Sequence, residues 1–144
     1  TLSLHDALPI WRFAVLALLV CCIGSGCSSK KEGEPDLLSS FSMNRDENLV
    51  VIANRNEIED KDEFARLLVR MCKENSFQSI KFSTDRGYAT SLDMRVYLWR
   101  DEVEGHDPVM TVEYKPEEWN PEYDIINHPE EFMLYVDGEL IEYE

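Results

Sequence analysis

Apolar residues run unbroken from Phe13 to Ile23 (FAVLALLVCCI), eleven positions in all. As a helix that run would span about 16 Å, roughly half of a ~30 Å bilayer core, so it has the length of an export-signal core and is too short for a stable crossing. Residues 28–47 (SSKKEGEPDLLSSFSMNRDE) show no sustained period and read as a flexible tether. Within it Leu37, Leu38, Phe41 and Met43 are apolar enough to dock on a following domain as a short irregular piece. From Leu49 to Ala53 the chain is again continuously apolar, now over strand length, and residues 48–54 predict a strand covered on both faces and central in a sheet.

A helical period follows. Asp60 with Glu63 three positions on makes a capping-box pattern, and Phe64, Leu67, Leu68, Met71 and Cys72 then recur at i, i+3, i+4, i+7 and i+8. Arg66, Arg70, Lys73 and Glu74 fall away from that stripe, and Asn75 suits a left-handed cap, so the spacing predicts a surface helix over 61–75 with one buried face. Beyond it the period shortens to two. Ile80 with Phe82, then Met94, Val96 and Leu98, then Met110, Val112 and Tyr114 each predict a half-buried strand. Turn residues divide them, Asp85-Arg86-Gly87 in the first gap and Glu104 to Pro108 in the second. Phe132 to Val136, Asp137-Gly138 and Glu139 to Tyr143 predict a hairpin closed by a type I′ turn. The expected fold is α+β, a two-layer sandwich of one amphipathic helix on a mainly antiparallel sheet of about five or six strands, in the order β-α-β-β-β-β-β.

Charge is unevenly spread. Residues 101–144 hold fifteen Asp and Glu against Lys115 alone, whereas residues 28–100 carry 12 basic and 13 acidic side chains. The net charge of −15 is therefore a property of the C-terminal third. Such a field repels phosphate backbones, which argues against nucleic acid as a partner, and attracts cations or a basic protein. Its plain alternative is solubility. With 44% hydrophobic and 10% aromatic residues the chain has enough apolar material for one core.

Three of the four cysteines, Cys21, Cys22 and Cys27, lie in the first 27 residues, so the domain behind them has Cys72 alone and no disulfide framework. Cys72 falls on the apolar stripe, where packing is its expected role. Arg12 precedes the apolar run, and Gly24, Ser25 and Gly26 lead from it to Cys27. The segment IGSGCSSKKEGE resembles a bacterial lipobox followed by the polar tether of a mature lipoprotein, departing from it at Gly24, where the family usually carries Leu. The resemblance implies diacylglycerol attached to Cys27 through a thioether, cleavage before it, and a protein held at a membrane on the extracytoplasmic side. The opening TLSLHDALPI lacks a basic cluster, carries Asp6, and resembles the translation of a synthetic sequencing adapter. On these readings residues 1–10 are not native, 11–26 are a signal peptide, 27–47 a lipid-anchored tether, and 48–144 a single globular α+β domain. The strand near residue 50, the DKDEF helix start and the IKFSTDRG segment also give the domain a loose similarity to small uncharacterised lipoproteins of gut Firmicutes, which implies no activity.

Catalytic signatures are missing from the sequence. It has no Gly-rich phosphate loop, no GxSxG, no HExxH and no paired Cys ligands, and the acidic residues do not follow the spacing of a calcium loop. His106 and His128 sit in acidic, Pro-containing loops beside Asp107 and Glu130, without a ligand partner at helical or strand spacing. No cofactor and no metal are expected. The stretch from Tyr114 to Asp124 is more informative, because it places Tyr114, Trp119 and Tyr123 among Glu117, Glu118 and Glu122 in a Pro-stiffened loop. Exposed aromatics beside carboxylates suit an interface with a basic protein or a cell-wall component. The alternative is that Trp119 and Tyr123 fold back onto the core. Arg86, a charge in a tight turn, is a further candidate contact.

The expected function is thus a non-enzymatic, membrane-anchored binding module outside the cytoplasm. One alternative is an immunity or inhibitor protein that neutralises a basic secreted toxin or enzyme. A carboxylate-dependent hydrolase is the other, needing two converging acids with one desolvated.

Overall fold

A computed structural model describes residues 32–143. Helix α1 (Lys61–Glu74) begins where an Asp60 side-chain oxygen accepts the Glu63 amide at 2.8 Å. It ends at Asn75, which takes φ 52° and donates its amide to the Cys72 carbonyl at 3.2 Å. Both ends are the expected ones, because an acidic cap answers free amides and Asn tolerates the left-handed region. Phe64, Ala65, Leu68, Val69, Met71 and Cys72 are buried along one side, and Leu67 is half-buried at its margin.

Six strands form one sheet in sequential order: β1 (Asp36–Met43), β2 (Asp46–Ile52), β3 (Ser91–Tyr97), β4 (Met110–Pro116), β5 (Phe132–Val136) and β6 (Glu139–Ile141). Every neighbouring pair is antiparallel except β2 and β3. A parallel pair needs a crossover, and the segment containing α1 supplies it, which lays the helix on one face of the sheet. There Phe64, Leu68 and Val69 join Leu49, Val51, Met94, Val112 and Leu134 in the main core. On the opposite face Val50, Ile52 and Tyr97 form a smaller cluster with Leu38 and Val103. The unbroken apolar run of β2 is therefore buried on both sides, as its pattern predicts.

The architecture is α+β, with one helix on a mainly antiparallel sheet. Its element order is β-β-α-β-β-β-β, and the difference from the expected order has two causes. Residues 36–47, expected as tether, hold β1 and the start of β2. A register shift between Leu37 and Ser39 interrupts the alternation of β1, and Leu37 is its one residue in the main core, so no period of two survives in the sequence. The domain accordingly starts before residue 48. Conversely, Ile80 and Phe82 pack against the core from an irregular segment. The Asn75 side chain binds both the amide of Phe82 (2.8 Å) and its carbonyl (3.0 Å), doing for that backbone what a neighbouring strand would do. The hairpin of β5 and β6 turns at Asp137 (φ 49°) and Gly138 (φ 82°), the two positive values of a type I′ turn. Strand β6 stops at Ile141, two residues short of expectation, and Tyr143 instead packs on Tyr114.

The expected adapter-derived residues, signal peptide and lipidated Cys27 lie outside the described residues. Among the described residues, no helix is long and apolar enough to cross a membrane.

Candidate binding surface

Strand β4 delivers the chain to an acidic loop, and its alternation decides the fate of Tyr114. Met110, Val112 and Tyr114 all point to the helix side, and Tyr114 is fully buried. Its ring stacks on Phe132 at 4.9 Å and meets Tyr143 at 5.1 Å, and its hydroxyl accepts a hydrogen bond from Lys73 Nζ at 3.0 Å. Burial, reinforced by Tyr143 and Glu130, pushes its pKa up. Tyr114 is thus a core residue and no part of a contact surface, because the same period of two that makes the strand turns this ring inward.

Beyond Pro116 the chain leaves the sheet and the loop opens outward. Trp119 is 77% exposed, and Glu117, Glu118 and Glu122 are exposed beside it. Tyr123 is half-buried: it packs on the core and lies 5.2 Å from the His128 ring. The two aromatics therefore divide between the alternatives, Trp119 standing in solvent and Tyr123 folding back. Both still line one shallow cavity of about 450 Å³, together with Glu117, Glu118, Glu130, Glu131 and Met133. Four carboxylates and no basic side chain line it. Glu122 is not among the lining residues.

A network beneath the loop fixes its shape. The Asn120 carbonyl accepts the Tyr123 amide at 3.1 Å, and its side chain accepts the Glu122 amide at 3.0 Å. Asp124, buried, accepts the amides of Ile126 (3.0 Å) and Asn127 (2.8 Å) and the Asn127 side-chain amide (2.8 Å). Burial raises its pKa, but these hydrogen bonds and the nearby His128 outweigh it and hold the carboxyl below the ordinary aspartate range. The 3-10 turn Pro129–Glu131 then brings Glu130 and Glu131 to the cavity that Trp119 lines. The aromatic spacing in the loop reveals its outward half in the sequence. Glu130 and Glu131 belong to the 3-10 turn and Met133 to the start of β5, and the fold alone brings them to the loop.

Arg86 lies elsewhere. It is exposed in the turn after Asp85 and lines a separate cleft of about 840 Å³ at the C-terminal end of α1, with Arg45, Lys73 and Lys81. His106 is exposed, and His128 is half-buried with Nδ1 lacking a hydrogen-bond partner. Among the described residues, no three His, Cys, Asp or Glu side chains form a group able to hold a metal ion. Cys72 is buried at the edge of the cleft, where burial and the charge of Glu47 push its thiol pKa up and away from nucleophilic use.

Set beside known proteins, the chain matches no family model, no curated sequence and no solved structure.

Proposed function

We propose that this domain is a non-enzymatic binding module, held at a membrane on the extracytoplasmic side by a lipid on Cys27, that presents the Trp119 groove to a basic partner. The observation that carries the reading is an indole 77% exposed above four carboxylates with no cation among them. Leaving a Trp in water forgoes the stabilisation of burying a large apolar surface, and four like charges around it repel one another. A cationic partner relieves both at once, since the ring supplies rigid contact area and the carboxylates supply steering. Among partners, a basic secreted protein fits better than a neutral glycan, because a sugar would use the ring and leave the charges uncompensated. This keeps the inhibitor or immunity reading as the more specific form of the same proposal. Hydrolysis has less support: the pKa values of Asp36, Asp124 and Asp137 are pushed down, the opposite of what a general acid needs.

Two measurements test the proposal. Cells producing the full chain are fractionated beside a Cys27→Ser variant; the parent should stay with membranes and the variant should be released, and equal retention would refute the anchor. Binding of a lysine-rich peptide to the groove is followed by Trp119 fluorescence. It should weaken by about tenfold or more in Trp119→Ala (read by calorimetry) and in a Glu117→Gln, Glu118→Gln, Glu130→Gln, Glu131→Gln variant, and fall steeply with salt. Binding that ignores both variants would place the contact surface elsewhere.

A further inference from the structure

Four basic side chains line the 840 Å³ cleft between the β1–β2 turn, the end of α1 and the 80–89 loop. Arg45, Lys73, Lys81 and Arg86 face two carboxylates there, Glu47 and Asp85. Acidic residues outnumber basic ones 29 to 14 in this chain, yet in this cleft basic side chains outnumber carboxylates four to two. The hydrogen bonds they make go to neutral acceptors. Arg45 donates to the Pro121 carbonyl, Lys73 to the Tyr114 hydroxyl, and Lys81 to the Asn75 carbonyl. Helix capping accounts for Lys73 and Lys81 in part, since both lie at the negative end of α1. It does not account for Arg45 and Arg86, which come from other elements.

The backbone supplies an independent sign. The β1–β2 hairpin turns at Asn44 (φ 53°) and Arg45 (φ 72°), and the β5–β6 hairpin turns at Asp137 and Gly138 in the same left-handed conformation. The second hairpin uses Gly where Gly is favoured. The first has Arg there, at a cost of roughly 1 kcal/mol or more for a side chain in that region. The turn is held from below by Asp46, which accepts the hydroxyls of Thr90 (2.7 Å) and Ser91 (2.8 Å), and by the Thr90 amide donating to the Arg45 carbonyl at 2.9 Å. A Cβ on Gly87 would stand 3.0 Å from the Arg45 guanidinium, so the side chain lies directly over the turn that carries Arg86. Strained residues cluster at functional sites, and the side chain of this one overhangs the cleft. The floor is apolar in part, with Ile80, Phe82 and Tyr88 among the lining residues, and the volume is that of a small-molecule site.

We propose that this cleft binds a small organic anion carrying two or more negative oxygens, its charged groups on Arg45, Lys81 and Arg86 and its body against Phe82 and Tyr88. The site is distinct from the acidic groove and would stand if that groove had no partner.

The test is a titration of the isotopically labelled full chain with citrate, glycerol 3-phosphate and inorganic phosphate, followed by amide chemical shifts, with glucose as the neutral control. Saturable shifts confined to the Arg45 turn and the 80–89 loop are expected from citrate or glycerol 3-phosphate, and which of the two binds separates a polycarboxylate from a phosphate ester. Lys81→Glu and Arg86→Glu, both at exposed positions whose well-dispersed spectra would report an intact fold, should each weaken the response by about tenfold. Arg95→Glu, on the helix-free sheet face, should leave it unchanged. Absence of saturable shifts with all three anions at millimolar concentration would overturn the proposal. So would an equal loss in Arg95→Glu, which would make the effect one of overall charge.

Discussion

Asp124 sits in the most acidic third of the chain and is nevertheless buried, and its three hydrogen bonds explain how. The carboxylate closes a turn over two backbone amides that the fold leaves no other acceptor to meet, so its burial solves a backbone problem. Asp124→Ala is expected to cost about 2 kcal/mol in urea unfolding, the loss of three part-buried hydrogen bonds to a charged acceptor. Asp124→Asn keeps one acceptor and should lose about half as much. An unchanged midpoint in Asp124→Ala would mean that the turn holds without its carboxylate. Nothing in the sequence distinguishes Asp124 from Glu122 two residues earlier, since both read as charges in a loop. What separates them is the return of the chain at 125–128, where Ile125 enters the core and draws Asp124 under the surface. Tyr114 carries the same lesson in the other direction: its composition suits an interface, but its place in the alternation of β4 puts it inside.

Among the elements, those written in a strong local period are the ones that the sequence makes legible. Helix α1 needs a stripe of apolar residues and two caps, all within sixteen positions, and each is a local signal. Asp60→Ala should lower stability by about 1 kcal/mol through loss of the bond to the Glu63 amide, and Asp60→Ser should restore most of it. Thermal unfolding of the three proteins measures this, and equal transitions would show that the cap contributes nothing. The β5–β6 hairpin is legible for a similar reason, since two residues set its turn. Strand β1 is not. Its outer half, Phe41 and Met43, is exposed, its inner half is bulged, and it is fixed by the ladder of the adjacent β2 and, from farther along the chain, by Ser79 and Gln78 through Asp36. A strand stabilised by its neighbours leaves little trace in its own composition. The 80–82 segment shows the converse, a period of two with no strand to pair, because β2 and β3 meet directly and leave no place between them.

For the whole molecule, two electrostatic effects oppose each other as pH falls, and their balance is measurable. With a net charge of −15 the folded chain repels itself at neutral pH, and protonating exposed carboxylates relieves that repulsion. Asp36, Asp124 and Asp137 act in the opposite sense. Burial raises each pKa, but Ser79 on Asp36, Asn127 on Asp124 and Lys61 on Asp137, with backbone amides in every case, bring it below the ordinary value. A group whose folded pKa is depressed stabilises the fold above its unfolded pKa, and that contribution disappears as pH drops through the folded value. These three join the start of β1 to the loop after α1, the acidic loop to itself, and the β5–β6 turn to both α1 and β4, so their loss loosens distant parts together. The melting temperature should therefore rise from pH 7 to a maximum at about pH 5 and fall steeply below about pH 4. Added salt should raise it at pH 7, where repulsion dominates, and have much less effect near the maximum. Replacing the three aspartates by Asn should lower the melting temperature at pH 7 and flatten the acid limb, because the protonation that unfolds the parent has then already been imposed. A melting temperature that keeps rising down to pH 3, or an acid limb unchanged in the triple variant, would show that these carboxylates do not hold the fold together.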